Sequence, residues 1–70
     1  MIASDHELKI TMERIARFQQ LVIQIRTASS SPENYRASAG GFLTEIDRMM
    51  LEVREYLWLP ALAIPAPVDA

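Results

Sequence analysis

No cysteine occurs among the 70 residues, so neither a disulfide nor a thiolate metal site can staple the chain. One histidine, His6, is too few for a structural zinc site built within one chain. Glycine is confined to the adjacent pair Gly40-Gly41, which excludes the spaced glycines of Walker and Rossmann phosphate loops. Lysine occurs once, and the arginines are interleaved with carboxylates to a net charge of −2. A nucleic-acid binder is expected to carry a basic excess or a basic stripe, and neither is present. The longest apolar run, Tyr56 to Val68, spans 13 residues and contains three prolines, too short and too broken to cross a bilayer. The opening "MIASDHELK" has no basic stretch leading into an apolar one, so no signal peptide is expected and a soluble, cytoplasmic protein is.

Apolar side chains are what the sequence has in quantity. They make up 50% of it, more than a disordered chain carries. A single domain of this size lies near the lower limit of independent stability. With disulfides and zinc excluded, regular helix packing and self-association are the remaining staples.

Two amphipathic periods follow. "SDHE" forms a capping box, in which Ser4 accepts from the Glu7 backbone N–H and the Glu7 carboxylate reaches back to the Ser4 N–H. With Leu8 at heptad position a, Ile15 and Val22 also fall at a and Phe18 and Ile25 at d, Thr11 being the polar exception. Met12 at e and Leu21 at g widen the stripe. The spacing predicts a helix from about residue 4 to 29, with Lys9–Glu13 and Glu13–Arg17 as flanking charge pairs.

In the second period Tyr35, Phe42, Met49 and Tyr56 fall at d, and Ala39, Ile46 and Val53 at a. The frame passes through Gly40-Gly41 without slipping and begins at "SPEN", where Ser31 suits an N-cap and Pro32 the first helical position. A second helix over about 32–59, ended by Pro60, is therefore expected. The rival pattern is a short turn at 32–36 with a fresh start near Ser38. Only Ser29-Ser30-Ser31 separates the two periods, which forces an antiparallel pair. The expectation is an all-α, antiparallel two-helix hairpin over 1–59, followed by an extended Pro/Ala-rich tail over 60–70.

Each helix carries more apolar surface than one seam covers. Leu43, Met50 and Leu57 stand at e, and Leu51 and Trp58 at f on the outer face. Pairing of two hairpins into a four-helix bundle would bury that arc, so a homodimer is the expected state. Leu8, Ile15, Phe18, Val22, Ile25, Tyr35, Phe42, Ile46, Met49, Val53 and Leu57 are the expected core and dimer-interface residues. Gly40 and Gly41, which with Ala37 and Thr44 make a small-residue face leading to Leu51 and Trp58, form a candidate strip for a partner. Trp58 either anchors such a partner or is covered by Leu62 and Ile64 of the tail.

Catalysis finds little footing. His6 lies between Asp5 and Glu7, and adjacent residues on a helix do not face one another, so "DHE" cannot gather on one ion. Glu45, Glu52 and Glu55 share a flank beside Arg48 and Arg54, which reads as a solvated, salt-bridged face and not as a carboxylate pair with one raised pKa. No catalytic, metal or cofactor residue is assigned, and an enzyme is not expected.

"ELKITMERIARFQQLVIQIR" and "SPENYRASAGGFLTEIDRMMLEVREYL" are similar to small bacterial proteins of unassigned function. Within the first, "T-x-E-R-I-A-x-F" (Thr11 to Phe18) resembles the helical segment that precedes the DNA-binding domain in HigA-like antitoxins. The resemblance implies a helical module that mediates pairing, with a toxin or regulator as its partner. It implies no DNA binding, because no helix-turn-helix follows. The leading expectation is thus a self-associating protein–protein interaction module. The alternatives are a small regulatory subunit associated with nucleic acid, using Arg14 and Arg17 from two chains, and a structural protein.

Overall fold

A computed structural model describes residues 1–60. It contains two helices, α1 (Asp5–Ala28) and α2 (Pro32–Trp58), which pack against each other as an antiparallel hairpin. Apart from Pro60, the expected tail lies outside the described residues, and so do Leu62 and Ile64.

Both helix starts follow from their caps. Ser4 takes an extended backbone and its Oγ accepts from the Glu7 N–H at 3.2 Å. The reciprocal bond differs from the expected capping box, since the Glu7 carboxylate accepts from the Ala3 N–H at 2.7 Å, one residue earlier than Ser4. The chain before Ser4 folds back so that Ile2 is buried, and this brings the Ala3 N–H, not that of Ser4, within reach of the carboxylate. Thr11, the polar member of the apolar stripe, satisfies its hydroxyl on the Glu7 carbonyl at 2.9 Å.

The serine linker is fully engaged. Ser29 caps α1, its N–H and its hydroxyl both donating to the Ile25 carbonyl at 2.9 and 2.6 Å. Ser30 Oγ accepts from the Asn34 side-chain amide at 3.2 Å, and Ser31 Oγ caps α2 by accepting from the Asn34 N–H at 3.1 Å. Among the described residues no φ is positive, so the reversal of direction requires no glycine.

α2 runs unbroken through Gly40-Gly41, which removes the rival pattern with a fresh start near Ser38. A Cβ built on either glycine meets nothing within 4 Å, so nothing inside the hairpin calls for a bare backbone there. Gly41→Ala is expected to stabilise the fold by about 0.5–1 kcal/mol, because it relieves the entropy that glycine loses on becoming helical. Urea titration followed by circular dichroism measures this. A destabilised Gly41→Ala would mean that this backbone meets a surface outside the hairpin.

The core is a single seam. Val22, Ala39 and Ile46 are buried, with Ile15, Phe18, Ile25, Tyr35 and Phe42 packed around them. Phe18 and Phe42 meet edge to face, their centroids 5.4 Å apart at 87°. Ala39 is fully buried, its small side chain letting the helices come close near the linker. Toward the open end Met49 and Tyr56 are buried, and Leu8 and Val53 are half-buried. Leu57 is different: at 62% exposed it takes no part in this seam, because position e points to the side of an antiparallel pair and not into it. Ile2, to which no period assigned a role, is buried against the open end.

Candidate interaction surface

In an antiparallel hairpin the two e positions meet on one side and the two g positions on the other. The two sides of this molecule differ in chemistry. The e side carries a groove of about 550 Å³. Met12, Ile15, Ala16 and Gln19 of α1 form one wall, and Met50, Val53, Arg54, Leu57 and Trp58 of α2 form the other. Ile15 and Val53 are the floor, half-buried residues of the seam, while Met12, Met50, Leu57 and Trp58 stand exposed at the rim. Trp58 is 77% exposed. Leu43 at e and Ile23 at b continue the apolar side toward the linker, both exposed.

The g side is smaller and charged. A depression of about 350 Å³ there is bordered by Glu7, Arg14, Arg48 and Glu52, together with Met1, Ile2, Ile10, Thr11 and Met49. Arg48 donates to Glu45 at 2.5 Å and lies 3.9 Å from Glu52, and the Met1 amino group lies 3.2 Å from Glu52. The Glu45 carboxylate, as hydrogen-bond acceptor and as counter-charge, raises the Arg48 pKa above its ordinary value. Arg14 therefore belongs to a mixed-charge surface, which is not the basic stripe that nucleic-acid recognition uses. Lys9–Glu13 and Glu13–Arg17 do not close to ion-pair distance, all three side-chain hosts being exposed to water, where such pairs contribute little.

One long-range bond ties the open end. The Tyr56 hydroxyl donates to Asp5 Oδ1 at 2.6 Å, joining the last turn of α2 to the first turn of α1. That bond, with burial and the neighbouring Asp5 and Glu7 carboxylates adding to it, raises the phenol above its ordinary pKa of 10.0. A phenol that holds its proton more tightly when folded adds stability that is fully present below pH 10.0. That stability is lost as the pH climbs through the higher folded value. Tyr56→Phe is accordingly expected to lower the melting temperature by a few degrees at neutral pH and to flatten the decline on the alkaline side. Thermal melts from neutral pH to about pH 11 would show it; an unchanged alkaline slope would mean that the bond contributes nothing.

His6 is exposed in the first turn of α1. Among the described residues no three His, Asp or Glu side chains gather as a metal site would require. Of the expected partner strip, Gly41, Leu51 and Trp58 are exposed and Gly40 is half-exposed, so all four lie on the surface of α2. The heptad frame puts Met12, Met50 and Leu57 at the edge of the stripe, whereas Ala16 and Gln19, one small and one polar, give no hydrophobic signal. The available signal was the pairing of e and b positions across an antiparallel seam.

Compared with protein-family models, with curated proteins and with solved structures, the chain matches none. No helix among the described residues is long and apolar enough to cross a membrane.

Proposed function

We propose that the chain is a protein–protein interaction module, a helical hairpin that pairs with a second copy into a four-helix bundle and in that form engages another protein. The observation that carries this reading is the row of exposed apolar residues on the e side, Met12, Met50, Leu57 and Trp58, over a groove floored by Ile15 and Val53. Covering a leucine or methionine side chain contributes about 1.5–3 kcal/mol, a large gain for a hairpin with only one seam. Tryptophan is moreover a frequent anchor in protein interfaces. The likeness of Thr11 to Phe18 to the helical segment of HigA-like antitoxins favours a toxin or regulator as the further partner, with Gly40, Gly41 and Leu51 of the outer strip left for it once Trp58 is taken into the pairing.

Size-exclusion chromatography with multi-angle light scattering tests the pairing. The expected mass is twice that of the 7.9 kDa chain, with helicity falling as the sample is diluted. A well-folded species at the single-chain mass and micromolar concentration would overturn the proposal.

A further inference from the structure

Sulfur occurs in this chain only as thioether: cysteine is absent, and the methionines are Met1, Met12, Met49 and Met50. The fold sorts these four. Met12 and Met50 are 53% and 52% exposed and line opposite walls of the apolar groove. Met49, next in sequence to Met50, is 3% exposed in the seam, and Met1 stands in water beside the charged depression on the other side. We propose that Met12 and Met50 form an oxidative modification site, at which a peroxide converts both thioethers to sulfoxides and holds the hairpin in its single-chain form. The inference rests on the pairing through the e side and says how that pairing is undone.

Geometry makes the two sulfurs one site. Phe18 against Phe42 and Tyr56 against Asp5 fix the register of the helices, which puts Met12 within about 3 Å of the height of Met50. Both thioethers thus lie on one stretch of the surface that a second copy covers. In the single hairpin they are open to a peroxide. A sulfur lone pair attacks one peroxide oxygen, and an S–O bond forms as the O–O bond breaks. The transferred oxygen gives up its proton to the departing one, which leaves as water. Sulfur is oxidised by two electrons and the peroxide is reduced by two.

The product suits the single hairpin and not the pair. Each sulfoxide oxygen is a hydrogen-bond acceptor that water satisfies where the side chain is exposed, so the fold is kept. Arg54, one turn along α2 from Met50, can answer the Met50 oxygen under a second copy. On the α1 wall the one donor is Gln19, two turns from Met12. Lys9, a turn before Met12, lies outside the groove and could answer only by bringing its charge under the partner. An oxygen covered without a donor weakens association about tenfold or more, and a symmetric pair covers one on each copy. A rise of roughly a hundredfold in the dimer dissociation constant follows. Pairing in turn shields both sulfurs, so the reaction proceeds through the single hairpin and is fastest in dilute samples.

The full chain is treated with hydrogen peroxide, the gain of oxygen at each methionine is mapped by peptide mass spectrometry, and the product is sized by light scattering. Met12 and Met50 are expected to react well ahead of Met49, and the product to keep its helical circular dichroism at the single-chain mass. Methionine sulfoxide reductases acting on both epimers should restore the paired mass. A Met12→Leu, Met50→Leu chain, in which volume and helix preference are nearly kept, should pair like the native one and stay paired after the same treatment, although Met1 is oxidised. Dissociation of that variant by peroxide would overturn the assignment of the site. So would a chain fully oxidised at Met12 and Met50 that stays paired, or a Met49 that reacts as fast as they do. Each of these three leaves the pairing standing. An untreated chain at the single-chain mass would overturn the pairing and this inference with it.

Discussion

Ile46→Ala is expected to remove a large fraction of the stability of the hairpin. Ile46 is 5% exposed at the centre of the seam and forms the buried cluster with Val22 and Ala39. Truncating a buried isoleucine to alanine costs about 2–5 kcal/mol, the larger part of that range applying where the surroundings cannot close over the cavity. Two helices tied by a three-serine linker have little freedom to collapse further at mid-length without displacing Phe18 and Phe42. A domain of this size has roughly 3–9 kcal/mol of stability in total, so a truncation loss near the upper end of its range removes about half of it or more. Urea denaturation followed at the helical band should show a midpoint shifted toward zero denaturant. Leu51→Ala is the control: Leu51 lies exposed on the outer face, and its truncation should change the unfolding free energy by no more than about 0.5 kcal/mol. Equal losses at the two positions would contradict a core that consists of this seam.

Charging the rim of the groove should have the largest effect on assembly. In the doubly substituted Met50→Glu, Leu57→Glu chain, two carboxylates stand two turns apart along the apolar side. Both native residues are exposed in the single hairpin, so the fold itself loses no buried contact. In the proposed four-helix bundle two carboxylates would be taken out of water beside the single cation Arg54 of the same wall, so at least one is left unpaired at a penalty of several kcal/mol. Each 1.4 kcal/mol weakens association about tenfold, so a thousandfold rise in the dimer dissociation constant is a modest expectation. Light scattering should then report the single-chain mass across the micromolar range. Glu45→Ala on the charged side should leave the assembly unchanged, because it removes one exposed carboxylate from a solvated ion pair. A double variant that keeps the paired mass would refute the e side as the interface.

Much of the fold was legible because each local signal agreed with the next. The heptad frame through Tyr35, Ala39 and Phe42 favoured an α2 that continues across Gly40-Gly41 over a fresh start near Ser38, and the helix does continue. Ser4 was recognisable as a cap from the Glu7 three places on, and Ser31 from the Pro32 that follows it, and both act as caps. The role of Ile2 was not legible, since a residue two places before an N-cap belongs to no helical period. Its burial depends on the chain folding back, a tertiary event that the Ala3–Glu7 bond records. Nor did the heptad letters show that the two flanks differ. That asymmetry appears only when Met12 and Ala16 are set beside Met50 and Leu57, while Glu7 and Arg14 fall beside Glu52. The Tyr56–Asp5 bond was hidden for the same reason, being a contact between residues 51 positions apart.

The lone tryptophan gives the molecule a built-in optical probe. Trp58 stands at the rim of the groove with most of its indole in water, so separating the helices of a single hairpin changes its surroundings very little. Anything that fills the groove removes that water and shifts the emission to shorter wavelength. Intrinsic fluorescence in this protein therefore follows occupancy of the apolar side, whereas circular dichroism follows the helices. The concentration at which the two signals separate measures the affinity of the groove for its occupant.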